Sequence, residues 1–334
     1  MAKIAFFEVE DWEKEHIKEK LKGHDIIFFK ESLTKAHMPR ISKHDIIAVF
    51  IYSEIGKEVL DSLPKLRLVT TMSTGFDHID IKECKKRGIT VCNVPTYGEN
   101  TVAEHTFGLI LTITRKIGEA VDRTRKGDFT LGGLRGYDLK GKTIGVVGCG
   151  NIGRHVIRIA RGFEMNVLVF DLFQKPKLAK KMGFRYASLE NLLRNSDIIT
   201  LHAPYNKATR HMINNKTIKL MKKGAVLINT SRGGLVDTGA LLKALDKGAI
   251  SAAGLDVLEG ECFIKEEKQL LHSKFAKTCD LRTALQDHIL LKRNNVYITP
   301  HNAFNSSEAL YRILDTTIDN IKAFLRKKPI NVVK

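Results

Sequence analysis

No apolar run in these 334 residues approaches the roughly 20 residues that cross a bilayer as a helix. No membrane partner is therefore expected. The opening stretch, MAKIAFFEVEDWEKEHIKEK, has too short an apolar segment for a secretory signal and carries acidic residues where a small-residue cleavage site would stand. Cysteine is scarce: Cys84, Cys92, Cys149, Cys262 and Cys279 form an odd, scattered set without C-x-x-C spacing. That pattern argues against a disulfide framework or a zinc site, so no metal is expected and reduced thiols in a cytoplasmic setting are. Acidic residues are few as well, 37 against 55 Lys and Arg, for a formal charge of +18. A basic surface attracts polyanions, but here lysines alternate with glutamates, as in DWEKEHIKEKLK and EEKQLLHSK, rather than gathering with aromatics. Nucleic acid is not the expected partner, whereas a positive field draws small anions.

At 43% hydrophobic and 28% charged, the chain is long enough for two domains with substantial cores. It has no low-complexity linker and no repeat beyond βα units. Residues 141–171, GKTIGVVGCGNIGRHVIRIARGFEMNVLVFD, join strand, glycine turn, helix and strand in one unbroken crossover. Gly148 permits the tight turn, Gly150 lets the backbone approach a pyrophosphate, and Gly153 lets the helix pack closely on the strand. The helix offers its N-terminus to the phosphates, with Ile152, Val156, Ile159, Ala160 and Phe163 expected as its apolar stripe. The next strand, Val167 to Phe170, ends on Asp171, about twenty residues beyond the turn, where a carboxylate accepts hydrogen bonds from an adenosine ribose. Its charge repels a 2'-phosphate, which favours NAD over NADP, although Lys175 and Lys177 nearby soften that preference. A glycine-rich turn that binds nothing is the alternative, and the context disfavours it.

Before this unit, residues 1–95 read as a βα repeat with strands at Lys3–Phe7, Asp25–Phe29, Asp45–Ile51, Leu66–Thr70 and Ile89–Cys92. Alternation of this kind implies a parallel sheet. Two loops stand out. Ser73, Thr74 and Gly75 offer hydroxyls and an amide to an anion, or else form a strand-to-helix turn capped by Asp77 or Asp80. The second, Asn93 to Gly98, carries Tyr97. From Thr101 to Gly127 the pattern predicts one long buried helix at a domain or subunit interface, and Leu131–Gly141 a loop. After Asp171, strands at Asp197–Leu201, Ala225–Asn229, Ala252–Leu255 and Asn295–Ile298 bring the second sheet to six. A last helix spans roughly Ser306 to Arg326.

Reduction of a 2-keto acid needs a cation for the carboxylate, a proton donor for the carbonyl oxygen and a group that tunes the donor. Arg232 in NTSRGGLVD, His301 in ITPHNAF and Glu261 in GLDVLEGE supply one of each. A guanidinium binds a carboxylate through two parallel hydrogen bonds, imidazole exchanges protons near neutral pH, and a carboxylate favours the imidazolium. Singly, each has a structural explanation. Together they follow successive strands, at the edge where such sheets bind ligands.

The set STGFDHID, NVPTYGENTVAEHTFGLIL, GVVGCGNIGR, VLVFD, LHAPYNKATRHMIN, LINTSRGGLVD, GLDVLEGE and ITPHNAF resembles the D-isomer-specific 2-hydroxyacid dehydrogenases over about residues 65–305. Within that family the chain is most similar to the D-lactate enzymes, by GLDVLEGE, NVYITPHNAF and the long segment between Glu261 and His301. The resemblance implies an α/β fold of two βα domains. One is a six-stranded doubly wound parallel NAD-binding domain over residues 101–301, the other a smaller flavodoxin-like substrate domain over 1–100 and 302–334. It assigns Arg232 to the substrate carboxylate and carbonyl, His301 to proton transfer and Glu261 to the histidine. Ser73, Thr74, Gly75 and Tyr97 become substrate contacts. Asn151, Ile152, Asp171, Ala203, Pro204, Thr209, Thr230, Ser231, Arg232 and Asp256 face NAD with the three glycines, and Val102 lies near the nicotinamide. It further implies a homodimer built around the helix after Thr101, and a loop and helix over 262–292 near the site. The expectation is an NAD-dependent D-lactate dehydrogenase acting on pyruvate. The alternatives are another substrate of the same mechanism (glyoxylate, hydroxypyruvate, a bulkier keto acid or, disfavoured by a chain ending at Lys334, phosphoglycerate) and a non-catalytic NAD-sensing protein.

Overall fold

The computed structural model describes residues 1–259 and 281–333. It divides into two compact units, Met1–Tyr97 with Ser306–Lys334, and Gly98–Asn305. The first is built on five parallel strands, β1 (Lys3–Phe6), β2 (Asp25–Phe28), β3 (Ile46–Val49), β4 (Leu68–Thr71) and β5 (Thr90–Cys92), in the order β2-β1-β3-β4-β5. That is the flavodoxin-like order. β3 and β4 are buried along their whole length, which explains why IIAV and LVTT read as continuous rather than alternating runs.

The helix Ser307–Leu325 belongs to this unit. Ser306 caps it by accepting from the Ala309 amide at 3.2 Å, and Ile313, Leu314, Ile318 and Ile321 form its buried face. Asn320 interrupts that apolar face. Its Nδ2 donates to the Asn93 carbonyl at 2.9 Å and its Oδ1 accepts from Asn331 at 2.9 Å, which fastens helix and tail to the exit of β5.

The second unit carries β6 (Thr143–Val147), β7 (Asn166–Phe170), β8 (Arg185–Tyr186), β9 (Ile198–Leu201), β10 (Ala225–Asn229), β11 (Ile250–Leu255) and β12 (Val296–Ile298) in one parallel sheet, ordered β12-β11-β10-β9-β6-β7-β8. The order reverses between β6 and β9, so the glycine turn after β6 stands at the topological switch point. The sheet has seven strands where six were expected. The addition is β8, whose two residues pair with Leu168 and Val169 at the edge; so short a strand leaves no periodicity to read.

Two further expectations need correction. The single long helix after Thr101 is two, Glu99–Thr114 and Ile117–Arg125, with Lys116 between them in the left-handed region at φ 56°. The Thr114 carbonyl, which an unbroken helix would pair with Gly118, instead accepts from the Tyr137 amide at 3.0 Å. The helix Asn151–Gly162 buries Gly153, Val156, Ile157 and Ala160. Ile152 and Ile159 lie at the margin of that face, and Phe163 sits at the surface with its ring stacked on Phe107 at 5.4 Å.

Replacing Asn320 with Ala leaves the Asn93 carbonyl without its donor. We expect a loss of about 1–3 kcal/mol of stability in denaturant unfolding; an unchanged midpoint would show that the tail needs no such fastening.

Candidate active site

The turn after β6 is shaped by steric limits. Gly148 takes φ 101°, and a Cβ there would lie 2.5 Å from the His202 carbonyl oxygen. At Gly153 a Cβ would come within 2.1 Å of the Gly148 carbonyl oxygen. At Gly150, in contrast, nothing lies within 4 Å, so the backbone there faces open space. The helix beginning at Asn151 has no side-chain cap and no acidic residue in its first turn, which leaves its leading amides available to an anion. Asp171 braces the turn, accepting from the Cys149 amide at 2.7 Å through one oxygen and from the Phe173 amide at 2.7 Å through the other. Open backbone, uncapped helix start and a partly exposed carboxylate fit a dinucleotide.

Around the turn, Asn151 donates to Glu99 at 3.3 Å, at the start of the helix that carries Val102. Ala203 and Pro204 leave β9 across the switch point. Thr209 closes their loop, donating to the Pro204 carbonyl at 2.7 Å while accepting from the Asn206 amide at 2.9 Å. Beneath lies His202, whose Nε2 pairs with Thr200 Oγ1 at 2.8 Å and whose buried Nδ1 has no partner among the described residues. Burial drives its pKa down to about 3.

Arg232 stands on the turn that leaves β10. Asn229, the last residue of that strand and 1% exposed, accepts from the Ser231 amide at 3.1 Å and donates to the Arg232 carbonyl at 2.9 Å. Ser231 donates to the Leu201 carbonyl at 2.7 Å, and Thr230 Oγ1 pairs with Thr106 Oγ1 at 3.0 Å. A Cβ on Gly233 would lie 2.0 Å from the Leu258 carbonyl, so the turn rests directly on the chain leaving β11.

His301 leaves β12 with φ 52°, a left-handed conformation uncommon for histidine. Its amide donates to the Asp256 and Thr299 carbonyls, both at 2.9 Å. The Asp256 carboxylate, 1% exposed, accepts from Thr299 Oγ1 at 2.5 Å, the Asn302 amide at 2.8 Å and the Ala303 amide at 2.9 Å. His105 Nε2 reaches Thr299 Oγ1 at 3.0 Å and completes the shell. Arg232 and His301 thus occupy one carboxyl edge, beyond the strands that flank β11. Glu261 lies outside the described residues, as does most of the segment 262–292; its final part is the helix Leu281–Leu291.

In the first unit, the hydroxyls proposed as anion donors are committed internally. Ser73 donates to the Gly75 carbonyl at 2.6 Å and Thr74 to the Val94 carbonyl at 2.8 Å, so a backbone amide such as that of Gly75 is what the loop offers an anion. Asp80 caps the following helix, accepting from the Glu83 amide at 2.9 Å. The Tyr97 carbonyl accepts from Arg312 Nε at 2.5 Å. Sequence reasoning gave no role to Asn229, His105 or Thr299; for Asn229 the visible signal was a polar residue ending an otherwise apolar strand, while His105, inside a helix, gave none.

Comparison with known proteins finds similar chains over most of this sequence. The family description "D-isomer specific 2-hydroxyacid dehydrogenase, NAD binding domain" matches residues 107–303. A 2-hydroxyacid dehydrogenase homolog of Haemophilus influenzae is 35% identical, covering 96% of this chain and 95% of its own. A glyoxylate reductase of Thermococcus litoralis is 36% identical over 89% of this chain and 85% of its own. The crystal structure of D-lactate dehydrogenase from Aquifex aeolicus, complexed with NAD and lactic acid, superposes with a TM-score of 0.85 at 38% identity, covering 97% and 96%.

Gly150→Ala fills open space, so its melting temperature should stay near wild type while dinucleotide affinity falls; Gly153→Ala should lose both. Wild-type affinity for NADH in the Gly150→Ala variant, read by fluorescence titration, would refute this cradle. His202 imposes a pH dependence on stability. The unfolded chain takes up a proton near the ordinary histidine value of 6.5 whereas the folded chain does so only near 3, so the contribution is complete above about pH 6.5 and is lost on acidification through that window. His202→Gln should flatten the fall in melting temperature between neutral and acid pH.

Proposed function

The chain belongs to the D-isomer specific 2-hydroxyacid dehydrogenase family and is an NAD-dependent oxidoreductase, and on that premise we propose that it reduces a short 2-keto acid, glyoxylate first, to the 2-hydroxy acid. The observation that supports this is the placement of Arg232 and His301 on one sheet edge, on turns braced by the exit of β11. Arg232 grips the carboxylate in a fork and draws on the carbonyl oxygen. His301 passes its proton to that oxygen as the negative charge develops. Bound NADH supplies the hydride. The turn Gly148 to Gly153 and the start of its helix hold the pyrophosphate, and Asp171 the adenosine ribose.

The Thermococcus litoralis relative supports glyoxylate. Pyruvate, giving D-lactate, is the second reading, favoured by the Aquifex aeolicus enzyme with its lactic acid. A homodimer is part of the same proposal. Its support is the apolar surface left by Ile117, Val121, Phe129 and Leu131, the last two 77% and 83% exposed. For a cytoplasmic setting the support is the state of the described cysteines. Cys84, Cys92 and Cys149 are buried free thiols, and burial pushes the first two up to about 11.

Oxidation of NADH with glyoxylate, pyruvate, hydroxypyruvate and a branched keto acid side by side ranks the substrates. His301→Ala should lower kcat by about 10²–10⁴-fold, whereas Arg232→Ala should also raise KM for the keto acid. Normal turnover in either variant overturns its role. Tight NADH binding without turnover of any keto acid would instead favour the sensing protein.

A further inference from the structure

Three loops leave the carboxyl edge beside one another, after β9, β10 and β11, and one side chain joins them. Glu259 Oε1 pairs with Nε2 of His211, on the β9 loop. Its Oε2 accepts from the Thr238 amide at 3.2 Å and the Thr238 hydroxyl at 3.0 Å, on the β10 loop. Backbone hydrogen bonds lace the same two loops together: His211 to the Gly234 carbonyl at 2.8 Å, Ile213 to that of Leu235 at 3.0 Å, and Asp237 to that of Ile213 at 2.9 Å. His211 takes φ 50° to do so, a conformation that surrounding contacts must maintain. The residues between Arg232 and Thr238 therefore have a floor in Leu258–Glu259, a wall in His211–Ile213, and a lock in the Glu259 carboxylate.

We propose that Glu259 is a positioning residue for Arg232, holding the β10 loop at the height where the guanidinium meets the substrate carboxylate. This rests on the reading of Arg232 given above. A cavity of about 280 Å³ lies against the clasp, lined by His211, Asp237, Lys243, Glu259, Arg282 and Gln286 among others. Packing alone therefore does not confine the Glu259 side chain; its hydrogen bonds do. Without them the Asp237–Gly239 end of the β10 loop, which borders that cavity, has space to shift, and the loop that carries Arg232 loses its anchor at that end. A displacement of about 1 Å at such a group can cost on the order of 100-fold in rate or affinity.

The test compares Glu259→Ala with Glu259→Gln in steady-state kinetics, NADH titration and thermal melting. Gln keeps the length, still accepts from Thr238 and offers an N–H to His211, so it should stay within a few-fold of wild type. Ala should raise KM for the keto acid at least several-fold, with NADH affinity retained and kcat falling less than KM rises. If Glu259→Ala does not fold, Thr238→Val and His211→Phe each remove one arm and should each raise KM. Unchanged KM in all folded variants overturns the proposal, as does a uniform loss of NADH affinity, kcat and melting temperature. Arg232→Ala separates the two ideas. If that variant leaves KM unaltered, the role of Arg232 itself fails; if it raises KM, Glu259→Ala added to it should raise KM no further, and additive effects refute the clasp.

Discussion

The buried carboxylate of Asp256 is the constraint on which the catalytic edge depends. An ionised group out of contact with water is tolerated only when its lone pairs are filled, and here they are filled by Thr299, Asn302 and Ala303, all from the turn that carries His301. The histidine cannot leave its left-handed conformation without stripping donors from that charge. Three residues further on, Glu259 holds the opposite flank. The short exit of β11 thus serves two neighbours, and β11 lies between β10 and β12 in the sheet, so the proposed anion anchor and proton donor are referred to one common support.

Where function needs a local steric exception, the sequence declares it. The order Gly148, Gly150, Gly153, Asp171 was legible because each residue has a backbone role in one βαβ unit: a positive φ, an open approach, a close helix packing, a strand end. Arg232 and His301 were legible for a related reason, since a charged or titratable residue one to three positions past an apolar run has few places to go but the sheet edge. The supporting groups were not. Asn229 looks like the end of a strand, and Glu259 like a solvated loop acid, until folding brings His211 and Thr238 against it from 48 and 21 residues away.

The same distinction explains the errors in the fold. β8 exists because β7 offers an unpaired edge, not because Arg185 and Tyr186 prefer to be extended. The break at Lys116 is likewise imposed from outside, by Tyr137 donating to the Thr114 carbonyl. The expected burial holds for the first part, where Phe107, Leu109, Ile110 and Ile113 are buried, but fails for Ile117–Arg125, which buries none of its residues; nor does periodicity reveal where a remote amide will compete for a carbonyl.

The discontinuity of the first unit has a consequence for biosynthesis. Its sheet is complete by Cys92, yet the helix that covers part of it starts at Ser307, and Asn320 meets the Asn93 carbonyl across 227 residues of chain. On the ribosome, the whole of Gly98–Asn305 emerges before that helix does. The contiguous unit can condense on its own as it is made, while the N-terminal sheet waits with its apolar surface only partly covered. Loop closure on this scale is slow, so the newly made chain passes through an interval in which β4 and β5 are the surfaces a chaperone or a neighbouring chain would find.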